Sequence, residues 1–351
     1  MPQPSIRSLA RQLGLSAATV SLALRDSPRV VAATKRRVRQ AAGRAGYQPN
    51  PLVRSVMAAM RRSAHDSFQG ALMALNYTEE AVPVLNPYHR EVFAGAEQRA
   101  RELGYSMELC WVGPKQVSLA RLNVILRARN IHGVVVLPFA EPRDFSELNW
   151  SSLAAVVMDY CLGIPAHHTV LPDHHLSIFQ AMESLARIGY RRPGLVLARD
   201  KDERLMHRWS AGFASYARKQ TWEREIPVLL EPGVTRMGFL QWFRRYRPDV
   251  VLGHVQKQIA QWLRDEGCEI PRDVGFVQLN WTERTAPCAG LNLQPALLGA
   301  AALESVVAQL QRNERGLPAG PKSIALTARW VDGPTLRTAS RAVAANPKTE
   351  R

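Results

Sequence analysis

Four cysteines in 351 residues, Cys110, Cys161, Cys268 and Cys288, stand too far apart to form a C-x-x-C pair, which excludes a zinc ribbon and a dithiol redox motif. No run approaches the roughly eighteen apolar residues that a membrane span requires, and no apolar segment with a small-residue cleavage site opens the chain, so a soluble, cytoplasmic protein without a membrane partner is expected. G-x-S-x-G, H-E-x-x-H and G-x-G-x-x-G are missing, so neither an enzyme nor a bound cofactor is expected. Gly316–Ser323 approaches a phosphate-binding loop, but Pro321 removes a backbone donor between Gly320 and Lys322; it reads as an ordinary loop. The pairs His167-His168 and His174-His175 have no cysteine or carboxylate partners at ligand spacing, so they read as polar loop between lobes, with no metal.

Acidic residues are almost absent from the first 65 positions. Twelve Lys/Arg stand there against the single acid Asp26, so this short segment holds +11 of the formal +16. Charge so concentrated implies a polyanion partner, because each neutralised phosphate releases condensed counterions. Over the whole chain the 46% apolar and 22% charged fractions are those of a folded globular protein, and the length suits a small domain joined to a large one.

Ile6, Leu9, Ala10 and Leu13 share one face of a first helix that Gly14 stops. Ser16 then caps a second helix, with Val20 and Leu24 inward and Ala17, Ala18, Ser21 and Leu22 outward. A third helix from about Ala32 to Ala45 buries Val38, Ala41 and Ala42 and stops at Gly46. Helix, tight turn, helix is the helix-turn-helix pattern. The expected domains are a head at 1–48, a hinge at 49–63 in which Pro51 opens a short helix, a core at 68–333 and a frayed tail at 334–351, which lacks a leucine heptad. Within the core, strands at 71–75, 106–110, 133–137, 154–158, 194–197, 228–230, 250–252 and 274–279 alternate with helices at 88–103, 176–188, 209–219, 237–246, 256–266 and 297–311. Such alternation implies parallel sheets, and the length implies two lobes.

The head sequence SIRSLARQLGLSAATVSLALR, followed by SPRV, TKRRV and GYQPNPLVRS, resembles without gaps the DNA-binding head and hinge of the lactose/galactose-repressor (LacI/GalR) family. The core is similar to that family at 86–105, 131–138, 211–213, 247–249, 270–277 and 293–295, and in the spacing from Asp173 to Gly189–Arg192. The resemblance implies an α/β two-lobed periplasmic-binding-protein-like core behind an all-α helix-turn-helix. It implies a transcriptional regulator, commonly a repressor, that binds a near-palindromic double-stranded DNA operator as a homodimer. It places Ala17, Ala18 and Leu22 at base-reading positions, with Thr19, Ser21 and Arg25 near phosphates and Ser5, Ser16, Arg29, Asn50 and Arg54 completing the contact set. None of the three readers can hydrogen-bond, so direct readout would be of thymine methyls; alternatively, the alanines are there as good helix formers. Val56, helped by Met57, falls where the family wedges a leucine into the minor groove, or else the linker packs only on its dimer mate.

The family also binds a small effector, commonly a sugar, between the lobes. Here Trp209 takes the usual arginine spacing with Arg208 one residue early, Asn280 replaces an aspartate, and Asp173 is kept. Tyr88, Asp173, Arg208, Trp209, Asn280 and Gln294 thus form a candidate ligand set in which polar groups meet hydroxyls and the indole stacks on a ring. The alternative is that these are ordinary loop and helix-end residues.

Overall fold

The computed structural model describes residues 6–24, 30–45, 69–139, 141, 143–160, 166–218, 226–254, 256–285 and 287–338. The head forms α1 (Ile6–Leu13), α2 (Ala17–Leu24) and α3 (Ala32–Arg44). Gly14 takes a φ of +65°, and the Leu15 N–H reaches back to the Ala10 carbonyl at 2.9 Å, ending α1 as a glycine C-cap does. Ser16 Oγ accepts the Thr19 N–H at 3.0 Å and so starts α2. Leu9, Val20, Ala23 and Val38 are sealed in a core small enough that alanines make up much of its wall. Ala23, rather than Leu24, is the deeper residue, and Leu22 is half-buried.

The first lobe comprises β1 (Gly70–Tyr77), α4 (Pro87–Glu102), β2 (Tyr105–Val112), α5 (Leu119–Ala128), β3 (Gly133–Val136), β4 (Ala154–Met158) and β5 (His168–Pro172). The chain then builds the second lobe from α6 (His174–Ile188), β6 (Pro193–Ala198), α7 (Arg199–Arg204), α8 (Arg208–Ala217), β7 (Leu229–Glu231), α9 (Arg236–Tyr246), β8 (Val250–Gly253), α10 (Gln256–Asp265), β9 (Gly275–Gln278) and β10 (Ala289–Asn292). It returns for α11 (Pro295–Arg312) and β11 (Ser323–Leu326) in the first lobe and ends with β12 (Arg329–Val331) in the second. The two sheets run β11-β5-β4-β3-β1-β2 and β12-β10-β9-β8-β6-β7. Every pairing is parallel except β10 with β12. β3, β4, β8 and β9 are buried at every residue, as strands covered on both faces must be.

α11 lies against α4 at backbone distance. A Cβ on Gly95 would overlap the Ala296 carbonyl, and one on Gly299 would overlap the Val92 carbonyl. The chain therefore passes between lobes three times, at 172–174, 292–295 and 326–329. The crossings are tied together: Asp173 N–H donates to the Leu326 carbonyl at 2.8 Å, Gln294 Nε2 to the Thr327 carbonyl at 2.8 Å, and Ala328 N–H to Ser177 Oγ at 2.9 Å.

Three expectations are corrected here. His168 begins β5, and His167 is buried with its ring 4.3 Å from Trp150, so this pair is no interlobe loop. The core does not stop at 333: Thr335 and Leu336 are buried, and Thr335 Oγ1 donates to the Phe276 carbonyl at 2.7 Å while accepting the Ala289 N–H. The sheet of the second lobe is not wholly parallel, because β12 returns along β10.

Candidate functional site

Between the lobes lies a cavity of about 660 Å³. The first lobe supplies Tyr88 and His89 from the start of α4, Phe139 beyond β3 and Asp159 just past β4. The second supplies His174 from the start of α6, Lys201 and Arg204 from α7, Trp209 from α8, His254 beyond β8, and Gln278 and Asn280 at the end of β9. These are the carboxyl ends of parallel strands and the amino ends of the following helices, where open α/β sheets present their binding crevice.

One ion pair joins the two walls: Arg204 Nη1 lies 3.3 Å from Asp159 Oδ2. Asp159 is 8% exposed and takes a φ of +56°, left-handed for a non-glycine, a conformation that costs about 1 kcal/mol or more and turns the carboxylate off the strand. Burial raises its pKa, with Arg204 opposing. Burial also holds the nearby histidines neutral, lowering His89 to about 4 and His174 and His254 to about 3, with Arg204 adding to the effect on each. Four polar atoms on this wall find no partner among the described residues: Asp159 Oδ1, His174 Nδ1, Trp209 Nε1 and Gln278 Oε1. A buried polar atom left unpaired costs about 1–3 kcal/mol, so four on one cavity, drawn from both lobes, make a surface ready to exchange hydrogen bonds with a bound molecule.

The corner that carries the second-lobe groups is fixed by Asp202, itself 1% exposed. Its carboxylate accepts Ser210 Oγ at 2.6 Å and the Ser210 N–H at 3.3 Å, and meets His207 Nδ1 at 3.1 Å. Those bonds pin the start of α8 to the buried side of α7, leaving Lys201 and Arg204 toward the cleft.

Of the six expected ligand residues, Tyr88, Trp209 and Asn280 line the cavity. Trp209 is only 1% exposed, edge-on to His174 at 4.7 Å; a sealed indole offers no face for stacking a sugar ring, which corrects that expectation. Asp173 Oδ1 caps α6 by accepting the Leu176 N–H at 2.9 Å, Gln294 ties the hinge, and Arg208 lies with its guanidinium 5.3 Å from the Tyr160 ring centre. None of these three lines the cavity, so the structure does not bring Asp173 and Arg208 together around a ligand.

On the head, Ser16 and Thr19 share a 2.8 Å hydroxyl contact at the amino end of α2, where free N–H groups favour an anion. α3 adds Lys35, Arg36, Arg37, Arg39 and Arg44 without one acid. Ala17, Ala18 and Ser21 belong to α2, but their side chains are outside the described set. Ser5, Arg25, Arg29, Asn50, Arg54, Val56 and Met57, with the hinge, lie outside the described residues.

Residues 5–50 match the family described as "Bacterial regulatory proteins, lacI family", and residues 182–335 match "Periplasmic binding protein-like domain". The chain thus carries a LacI-family helix-turn-helix domain followed by a periplasmic-binding-protein-like domain. It is a DNA-binding transcriptional regulator of the helix-turn-helix type with a two-lobed core. It is 26% identical over 323 residues to the HTH-type transcriptional regulator PtxS of Pseudomonas putida, covering 88% of this chain and 89% of that protein. It is 27% identical over 173 residues to the repressor PurR of Pasteurella multocida, covering 48% of this chain and 47% of that protein. The regulator also shares its fold with two solved structures. A CelR–cellobiose complex matches with a TM-score of 0.59 and 18% identity, covering 95% of this chain and 99% of that one. The Lac repressor dimer bound to operator and the anti-inducer ONPF matches with a TM-score of 0.54 and 16% identity, covering 96% of this chain and 100% of that one.

Proposed function

We propose that this regulator binds a near-palindromic operator as a homodimer and that a small hydroxylated effector, held between the lobes, sets its affinity for DNA. The observation that carries the effector reading is the cleft wall with its four unpartnered polar atoms, contributed by both lobes and bridged by Asp159–Arg204. A ligand that satisfies atoms on both walls binds one lobe arrangement better than another, and only such differential affinity can shift an equilibrium. The PtxS and PurR relatives, as regulators, support the DNA half, and the Lac repressor neighbour, a dimer bound to operator, supports the assembly. In this reading α2 enters the major groove, with Ala17, Ala18 and Leu22 toward thymine methyls and Ser16, Thr19 and the basic residues of α3 toward phosphates.

The test is duplex selection from a random pool with the full chain, followed by affinity measurement across salt. The expected result is one enriched two-fold site whose log affinity falls with log salt by about 0.9 per phosphate contacted. Removal of residues 1–62 should abolish it. Salt-independent binding, or an enriched site without two-fold symmetry, would overturn the proposal.

A further inference from the structure

A second pocket, of about 380 Å³, opens within the first lobe at the carboxyl ends of β1 and β2. Asn76 lines it from β1, 5% exposed, and its Oδ1 accepts no hydrogen bond from any described residue. Nothing in the packing of β1 requires an amide there, since Leu72, Met73, Ala74 and Leu75 are all apolar and buried. Three carboxylates, Glu79, Glu80 and Glu141, line the same pocket, and Arg143 is the one arginine or lysine to do so among the described residues. The lining His89 adds no charge, because burial lowers its pKa to about 4. Three carboxylates against one guanidinium leave the pocket acidic in a chain whose formal charge is +16. The loop that carries them is held in place: Gln116 Nε2 donates to the Glu80 carbonyl at 2.8 Å, and the Tyr77 hydroxyl donates to Glu79 Oε1 at 3.4 Å.

We propose that this pocket binds a small organic cation, an alkyl ammonium or guanidinium. Its N–H groups donate to Asn76 Oδ1 and to the carboxylates, while its carbon chain lies against Tyr77, Trp111 and Phe139. The site is separate from the cleft and does not rest on the effector reading above. The charge class follows from the lining. An ammonium carries three donors and no acceptor, which suits an unpaired amide oxygen beside carboxylates in excess. An anion is repelled there, and a neutral hydroxyl answers the amide but not the charge. Arg143 already meets part of the lining in this way. Its guanidinium lies 4.7 Å from the Tyr77 ring centre, 3.0 Å from Glu79 and 2.6 Å from Glu141, the arrangement in which acids and an aromatic ring together hold a cation. No ion pair joins it to Glu80 and no hydrogen bond to Asn76 among the described residues. Arg143 therefore competes with a ligand for two carboxylates and leaves the rest of the pocket to it. The volume is just above the roughly 300 Å³ at which ligand pockets begin, so the cation is a small one.

The experiment is titration of the full-length protein by calorimetry and thermal shift. The probes are putrescine and agmatine, with the terminal diol of butane as the neutral counterpart of putrescine and succinate as an anion of similar length. Either amine should bind at least about tenfold more tightly than the diol or succinate, the worth of one hydrogen bond to a charged partner. That affinity should fall as salt is added. Asn76→Leu should lower amine affinity about tenfold, and Trp111→Ala should lower it independently should Asn76→Leu fold poorly. Arg143→Ala should instead raise it, because removal of the internal cation frees Glu79 and Glu141, whereas a variant that merely loosened the pocket would lose affinity. Four results would each overturn the proposal: the diol or succinate binding as tightly as the amines, amine affinity unchanged in both Asn76→Leu and Trp111→Ala, no rise in Arg143→Ala, or neither heat nor thermal shift with either amine.

Discussion

Asp159 shows how one residue can hold two lobes in register. It is left-handed, buried and ion-paired to Arg204 across the cleft. Arg204→Ala removes the counter-charge from a carboxylate that stays buried, and should destabilise the unliganded protein by about 2 kcal/mol. Asp159→Asn should cost less, because it removes the charge along with the partner. A double-mutant cycle by urea unfolding reads the coupling; effects that add within about 0.5 kcal/mol would show that the pair contributes nothing. Sequence could not pick out this residue. Asp159 follows the apolar run of β4, and only the order of strands brings it opposite α7. The same holds for Gln278 and His254. The family resemblance pointed to Tyr88, Trp209 and Asn280, which line the cavity, and equally to Asp173, which caps α6, a structural duty indistinguishable in one sequence from ligand binding.

At the scale of elements, local patterns were readable where they were strong. β4 was read at 154–158, as it stands, and α9 to within one residue, because continuous Val runs and 3.6-residue periodicity need no tertiary help. β5, with Thr169 and Pro172, β10, with little large apolar surface, and the edge strands β11 and β12 gave no run to read; each is made a strand by the neighbour it pairs with. α5 has no counterpart among the expected helices despite its Ser118 cap and its buried Leu122 and Leu126. The α4–α11 crossing yields the sharpest element-level prediction. Gly299→Ala places a methyl against the Val92 carbonyl and should cost about 1–3 kcal/mol of stability through forced separation of the helices. The same substitution at Gly43, whose added Cβ meets nothing within 4 Å, should not destabilise. Equal melting temperatures for Gly299→Ala and the parent would show that the helices yield freely.

The whole molecule carries a titration that no single element reveals. Four histidines are held neutral by burial: His89 and His167 are lowered to about 4, His174 and His254 to about 3. The unfolded chain binds their protons near pH 6.5, while the folded chain declines them until pH 4 or below. Each therefore contributes stability that is fully present above about pH 6.5 and is lost as the pH falls towards its folded value. Asp159 and Glu91 work in the opposite sense, since burial raises their pKa values and their protonation relieves an unfavourable charge, but two acids do not offset four bases. The unfolding free energy should accordingly fall between pH 7 and pH 4, with each histidine contributing up to about 3 kcal/mol across the interval. His167 separates this effect from general acid destabilisation. It lies outside the cleft wall, neither ring nitrogen has a partner among the described residues, and its ring rests on Trp150. His167→Leu removes one titrating group and should flatten the pH dependence by that histidine's share, so that the stability difference shifts in the variant's favour as the pH falls from 6.5 to 4. Urea unfolding at four pH values, followed by tryptophan fluorescence, tests it, and curves that run parallel for parent and variant would refute the assignment.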